Sequence, residues 1–94
     1  MESERALQGY LFRRAKKHGI YCRKMRAEGQ TGFPDVLLAH DGIVMFVELK
    51  SPTGKGRLSA RQKRELQRLR DAGLSAVVVY DTAGVDLVIQ SFTG

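Results

Sequence analysis

The sequence predicts an α/β fold, in which a mixed β-sheet is flanked by helices. Two segments have the apolar spacing of helices, and three segments between them have the character of strands. A fourth apolar, β-branched segment follows the second helix, and a helix is the usual connection between two strands that run in the same direction. The predicted order is therefore α-β-β-β-α-β, followed by a short terminal element.

Length and composition indicate a single domain that covers residues 1–94. The sequence has 94 residues, of which 43% are hydrophobic, and this suffices for one small core. It shows no apolar run of transmembrane length and no secretory signal pattern, so we expect a cytoplasmic protein without membrane contact. Cys22 is the only cysteine, which excludes an internal disulfide and a multi-cysteine zinc site.

The charges of the chain are distributed in blocks, with a net charge of +6. Residues 1–34 and 55–70 have an excess of Lys and Arg, whereas residues 35–54 and 71–94 have an excess of acids. Because a basic surface attracts polyphosphates through the release of counterions, nucleic acid is the expected partner. The alternative is that these bases only keep a small domain soluble.

The first helix is predicted from a cap and an apolar stripe. Ser3 can cap a helix that begins at Glu4, and Leu7 and Leu11 recur at helical spacing until Gly19 ends it. With about 100° per residue, Glu4 projects along the same stripe as the two leucines. We therefore expect Glu4 to face the core side of the helix.

Three strands are predicted after this helix. Residues 20–26 form the first strand, and residues 27–33 form a loop that contains glycine. Residues 35–39 form the second strand, and the turn at residues 40–42 contains an Asp-Gly pair that is typical of a hairpin. Residues 43–50 form the third strand, whose alternating side chains separate two faces. One of these faces carries Val44, Phe46, Glu48 and Lys50.

A basic loop over residues 51–57 leads into the second helix. Ser59 and Gln62 form a capping pattern at its start, and Gln62 also lies on the apolar stripe of the helix. The other faces of this helix carry the bases Arg61, Lys63, Arg64, Arg68 and Arg70.

The last part of the sequence contains one clear strand and one ambiguous segment. Gly73 ends the second helix, and residues 76–80 are an apolar run typical of a strand that is buried on both faces. Residues 83–92 fit a helix capped by Asp81 or Thr82, but their β-branched content also suits an edge strand.

Asp35, Glu48 and Lys50 form the pattern that is most informative about function. Asp35 starts one strand, and the other two end the strand that pairs with it, so we expect all three at one end of the sheet. Two carboxylates and a carbonyl suit a hard divalent cation such as Mg²⁺. Such an ion polarises a phosphate and lowers the pKa of a bound water, while a nearby lysine stabilises or deprotonates the attacking group. The pattern therefore predicts hydrolysis of phosphodiester bonds.

Each of these residues also has a structural explanation. Glu48 and Lys50 are spaced to form an ion pair on a solvated strand face, and an aspartate after a proline is a common turn residue. These explanations weaken in combination, because Glu4 and Gln62 also place polar groups on apolar helix stripes. Burying several polar groups without partners is costly, whereas a shared ion and a shared substrate account for all of them.

Three segments of the sequence resemble the virus-type replication-repair nuclease domain, a branch of the PD-(D/E)XK nuclease superfamily. They are Gly-Phe-Pro-Asp at 32–35, Val-Glu-Leu-Lys at 47–50 and Leu-Ser-Ala-Arg-Gln at 58–62. The resemblance runs from about Glu4 to Tyr80. The glycine before Pro-Asp, the Ser-x-x-Gln helix and the order of elements make this combination more specific than Asp followed by Glu-x-Lys alone.

The resemblance implies a PD-(D/E)XK nuclease-like domain and a role for each site residue. Asp35 and Glu48 would be metal ligands together with the backbone carbonyl of Leu49, and Lys50 would be the catalytic base or would stabilise the transition state. Gln62 resembles the glutamine that holds the lysine or a water in the active site, although a capping box explains it equally well.

Glu4 matches the acid of the family's first helix, which usually adds to the metal site. The helix dipole also favours an acid in a first helical turn, so this position has a second explanation.

The expected function is a DNA endonuclease that uses Mg²⁺ or Mn²⁺. Lys55, Arg57, Arg61 and Arg64 are the expected contacts to the DNA backbone. Family members that consist of the nuclease domain alone resemble this chain in size and are associated with phages and with symmetric four-way (Holliday) junctions. This implies a homodimer in a bacterial or phage-infected cell. The alternatives are a nuclease for flaps, ends or simple duplexes, and a nucleic-acid-binding module that does not cleave.

Overall fold

The computed structural model describes residues 3–26, 32–51 and 57–94. Within these ranges the chain forms α1 (Glu4–Lys17), β1 (Tyr21–Lys24), β2 (Val36–His40), β3 (Ile43–Leu49), α2 (Ala60–Asp71), β4 (Ser75–Val79) and α3 (Thr82–Thr93). This order confirms the predicted α/β fold, and it assigns the ambiguous segment 83–92 to a helix. None of the helices in the described ranges has the length and apolar character needed to cross a membrane.

The strands in the described ranges form one mixed sheet in the order β1-β2-β3-β4. β1 pairs with β2, and β2 with β3, in antiparallel orientation. β4 runs parallel to β3, because α2 carries the chain back to the end of the sheet at which β3 begins. The hairpin between β2 and β3 turns at Asp41 and Gly42, whose φ angles are 52° and 77°. Two successive positive φ angles are what a tight Asp-Gly hairpin turn requires.

Helices cover both faces of the sheet. On one face α1 and α3 pack over β2 and β3 in a core cluster that includes Leu11 and Val47. On the other face α2 places Leu66 against Phe46 and Ala76. Neighbouring residues of β3 therefore point to different clusters, which confirms the predicted alternation of that strand.

β4 is covered on both faces, as predicted. In the described part of the chain it has a neighbouring strand on one side only. Ala76 is buried on the α2 side and Val79 on the side of α1 and α3. Coverage by helices on both faces accounts for the apolar sequence of this edge strand.

Side chains cap the three helices at their first turns. Ser3 accepts a hydrogen bond from Ala6 N–H at 3.0 Å, as predicted for α1, and the chain leaves this helix through Gly19 at a φ of 68°. At α3 the cap is Asp81, whose Oδ1 atom accepts a hydrogen bond from Gly84 N–H at 2.8 Å. The N–H groups in the first turn of a helix have no partner within the helix, and Asp81 satisfies one of them. The cap therefore favours the helix over the alternative edge strand.

Candidate active site

The pairing of β2 with β3 brings two carboxylates side by side. Val36 pairs with Val47, so Asp35, which directly precedes β2, lies opposite Glu48. β2 begins one residue later than predicted, and Asp35 therefore lies just ahead of the strand. Its Oδ2 atom accepts a hydrogen bond of 2.9 Å from Leu49 N–H, which orients the carboxylate at the end of β3.

Glu48 is the buried acid of this site, with an exposed fraction of 3%. Its Oε2 atom accepts a hydrogen bond from Gln62 Nε2 at 3.1 Å and lies 3.6 Å from Lys50 Nζ. Its Oε1 atom is buried and has no hydrogen-bond partner among the described residues. Because a buried carboxylate oxygen without a partner is costly, this atom is suited to hold a cation.

The surroundings of Glu48 raise the pKa of its carboxyl group to about 8. Burial contributes most because it penalises the charged form, and the neighbouring carboxylate of Asp35 adds repulsion between like charges. Lys50 acts in the opposite direction, but it does not cancel these two effects. In the absence of a cation, Glu48 therefore tends to keep a proton at neutral pH.

Gln62 completes the predicted capping box, and its side chain contacts Glu48 where the family resemblance implied a contact to the lysine or a water. Its backbone N–H donates to Ser59 Oγ at 3.1 Å, and its Oε1 atom accepts from Ser59 N–H at 2.9 Å, which completes the capping box of α2. Its Nε2 atom donates to Glu48 at the same time. One side chain thus caps the helix and orients the buried acid.

At Gly32 the chain ahead of Asp35 packs closely against the first turn of α2. It has a φ of 87°, and a Cβ atom at this position would lie 2.9 to 3.0 Å from backbone atoms of Arg61 and Gln62. Both the positive φ and the close approach require glycine. The sequence pointed to this glycine only through the family resemblance, because the approach of α2 is not visible in the local pattern.

Glu4 lies at the opening of the site and not in the core. It is the exposed first residue of α1, so the expectation that it faces the core side holds for its direction towards Asp35 but not for its burial. The buried apolar stripe of α1 begins at Leu7, and the helical turn that contains Glu4 is exposed to solvent. Glu4 lines a cleft of about 600 Å³ together with Arg5, Gln8, Lys24, Asp35 and Leu49. The sequence had not singled out Arg5, Gln8 or Lys24.

Three of the four predicted DNA contacts lie in the first turns of α2 or just ahead of them. Arg57, Arg61 and Arg64 are exposed, and Arg61 directly precedes the glutamine that contacts Glu48. Lys55 lies outside the described residues. These three arginines therefore lie in or just ahead of the helix whose Gln62 contacts Glu48.

The donor atoms at this site are oxygens. Within residues 3–26, 32–51 and 57–94 no cluster of three or more acidic, histidine or cysteine side chains is arranged to hold a metal. A cation would therefore rely on the carboxylates of Asp35 and Glu48, completed by backbone carbonyl, water or phosphate oxygens. Mg²⁺ commonly binds through one or two carboxylates in this way, and the unpartnered Oε1 atom of Glu48 fits such a role.

Comparisons with known proteins agree with this fold. The sequence model of the VRR-NUC domain family matches residues 4–82. A solved structure described as a VRR_NUC domain is similar to the chain, with a TM-score of 0.82 and 33% sequence identity over 93% of this chain and 94% of that chain. No curated protein matches the chain.

The stability of the metal-free protein is expected to fall as the pH rises from about 4.5 to about 8. In this range the folded protein holds a proton on Glu48 that the unfolded chain has released, so raising the pH favours unfolding. Each pH unit lowers the free energy of unfolding by up to about 1.4 kcal/mol. Urea denaturation at several pH values in EDTA measures the effect. Glu48→Gln should flatten the profile, and an equally steep profile in this variant would contradict the assignment.

Proposed function

The chain belongs to the VRR-NUC domain family of nucleases, and we propose that it is an endonuclease that hydrolyses DNA phosphodiester bonds with Mg²⁺ or Mn²⁺. The observation that carries the proposal is the carboxylate pair of Asp35 and Glu48, with one buried oxygen unpartnered and Lys50 beside it. A surface that only binds polyphosphate gains nothing from two acids in the path of its ligand. A site that recruits a cation for chemistry requires them.

The protein would hold the cation with Asp35, Glu48 and the backbone carbonyl of Leu49, and Glu4 borders the same cleft. When bound, the cation supplies Lewis-acid polarisation of the phosphate and a lower pKa for the attacking water. The hydrogen bond from Leu49 N–H keeps the Asp35 carboxylate in place for this role.

Lys50 would act on the reacting groups directly. Its side chain is 13% exposed, and its ammonium group lies beside Glu48 at 3.6 Å. A partly desolvated ammonium group at this point stabilises the charge that develops on the phosphate. In the alternative role as a base, the neutral amine of Lys50 accepts the proton of the attacking water. Gln62 is a positioning residue, because its amide orients Glu48.

The proposed DNA surface consists of Lys55, Arg57, Arg61 and Arg64. These bases follow the carboxylate pair in the chain, and their charges would offset the repulsion between phosphates and the two acids. Contacts of this kind set affinity and not sequence preference.

A four-way junction is the proposed preferred substrate, cut by a symmetric homodimer. One small domain offers one cut, whereas resolution of a two-fold junction needs two symmetry-related cuts, and an isologous dimer supplies both. The further support is the likeness in size to family members that consist of the nuclease domain alone, which is an argument by analogy.

Asp35→Asn and Glu48→Gln are expected to abolish cleavage while the protein still binds DNA, because each variant removes a metal ligand and lowers the negative charge of the site. Lys50→Ala should lose about 100-fold or more of the activity without losing Mn²⁺ affinity in isothermal titration. Cleavage of labelled DNA with and without Mg²⁺ provides the measurement, and it also separates a nuclease from a binding module. The matched control is Asp41→Asn, because this exposed acid lies in the hairpin at the other end of β2 and β3. Near wild-type turnover of Asp35→Asn at saturating Mg²⁺ would refute the assignment.

Replacing Lys55, Arg57, Arg61 or Arg64 with Ala is expected to weaken binding similarly for all DNA sequences. Each replacement should reduce the slope of log affinity against log salt by about one unit, since each removes one phosphate contact. Binding titrations at several salt concentrations give the slope. If the slope is unchanged after all four are replaced, the DNA binds elsewhere.

The active form is expected to be a dimer that cuts a mobile four-way junction faster than a linear duplex of matched sequence. Light scattering at the assay concentration gives the oligomeric state, and a panel of junction, flap and linear substrates gives the preference. A monomer that cuts the linear duplex as readily as the junction would remove the junction proposal and leave the nuclease assignment in place.

A further inference from the structure

A groove between α1 and β1 lies outside the candidate active site. It has a volume of about 460 Å³, and its apolar lining includes Phe12, Ile20 and Cys22. Burial raises the pKa of the Cys22 thiol to about 11, so this side chain stays neutral at physiological pH. We term this space the Tyr21 groove, after the aromatic residue at its rim.

The rim of the Tyr21 groove carries an exposed ring and three positive charges. Tyr21 is 52% exposed, and the guanidinium carbon of Arg23 lies 4.2 Å from the centre of its ring. Arg13 and Lys16 line the groove from α1. Within the described ranges no carboxylate forms an ion pair with either of them. The groove thus combines apolar surface, a half-exposed aromatic ring and positive charges that have no ion-pair partner among the described residues.

The same two elements line both the Tyr21 groove and the active-site cleft. α1 begins at Glu4 in the cleft and reaches the groove at Arg13. β1 begins at Tyr21 in the groove and ends at Lys24 in the cleft, a length of about 10 Å. A DNA strand that leaves the cleft along β1 would therefore pass directly into the groove.

We propose that the Tyr21 groove binds unpaired DNA nucleotides beside the cut site. A base stacks on the face of the Tyr21 ring that Arg23 leaves open and lies against the apolar groove, while Arg13 and Lys16 contact the phosphates. Aromatic rings accept bases in this way only when the bases are free of a duplex, and cations along the rim attract the backbone. The inference rests on the proposed nuclease function but not on the junction proposal, because unpaired nucleotides next to the scissile bond are a feature of flaps and frayed ends, the alternative substrates.

Anisotropy titrations with labelled oligothymidine and with a blunt duplex test this proposal in EDTA, where no cleavage occurs. Tyr21→Ala is expected to weaken binding of oligothymidine about tenfold, because one base loses its stacking partner, and to leave duplex binding within about twofold. Tyr21→Phe should retain wild-type affinity, since it keeps the ring. Leu87→Ala is the control for a large exposed apolar side chain, because Leu87 is 67% exposed on α3 and does not line the groove. Equal affinity of Tyr21→Ala and wild type for oligothymidine would overturn the proposal.

Two neighbouring lysines on α1 provide a control within one helix. Lys16 lines the groove, whereas Lys17 is exposed and does not. Lys16→Ala should reduce the salt slope for oligothymidine by about 0.7, and Lys17→Ala should leave it unchanged. Identical slopes for the two variants would count against the groove as the binding site.

The single cysteine reports on the groove in the unmodified chain. In alkaline buffer, where a fraction of this thiol is ionised, oligothymidine is expected to slow alkylation of Cys22 by iodoacetamide several-fold, and the blunt duplex should leave the rate unchanged. A rate that oligothymidine does not alter would contradict occupation of the groove.

Cleavage with Mg²⁺, measured separately, distinguishes the groove proposal from the nuclease proposal. An inactive protein that passes these binding tests refutes the nuclease function alone. An active protein that fails them refutes the groove alone.

Discussion

The antiparallel register between β2 and β3 is the constraint on which the candidate site depends. Side chains alternate along a strand, so a slip of one residue would turn Glu48 away from Asp35 and towards α1 and α3. The tight turn at Asp41 and Gly42 sets this register at one end. At the other end, the hydrogen bond from Leu49 N–H to Asp35 ties the start of β2 to the last residue of β3. The carboxylate that would bind the cation therefore also secures the pairing that places its partner.

The second requirement of the site is the close seating of α2 on the chain that leads into β2. Gly32 allows this seating because it has no side chain to separate the two backbones. Gln62 then reaches Glu48 from a helix end that its own capping interactions hold in place. The environment that raises the pKa of Glu48 arises from this packing, since α2 covers the face of the sheet on which the acid lies. Helix placement and the electrostatics of the site are thus linked.

Local rules are sufficient to predict the central residues of the site. Hairpin chemistry and strand alternation depend on neighbours in the chain, so the sequence alone places Asp35 and Glu48 at one end of the sheet. Helical periodicity gives the direction of Glu4 but not its depth, and only the full fold shows that the end of α1 is exposed. Lys24 lines the cleft because α1 lies beside β1, and a local sequence pattern does not predict how these two elements pack together. The terminal segment is ambiguous in sequence for a similar reason, because packing of Val85 in the core with α1 supports a helix despite its β-branched content.

The double role of Gln62 limits which amino acids evolution can place at this position. A capping box accepts glutamate as readily as glutamine at its third helical residue, so helix formation alone would allow either. Only the amide can donate a hydrogen bond to Glu48, and a glutamate would add a third negative charge beside two carboxylates. Descendants of this chain that retain a working site should therefore keep glutamine here, although the helix itself does not require it.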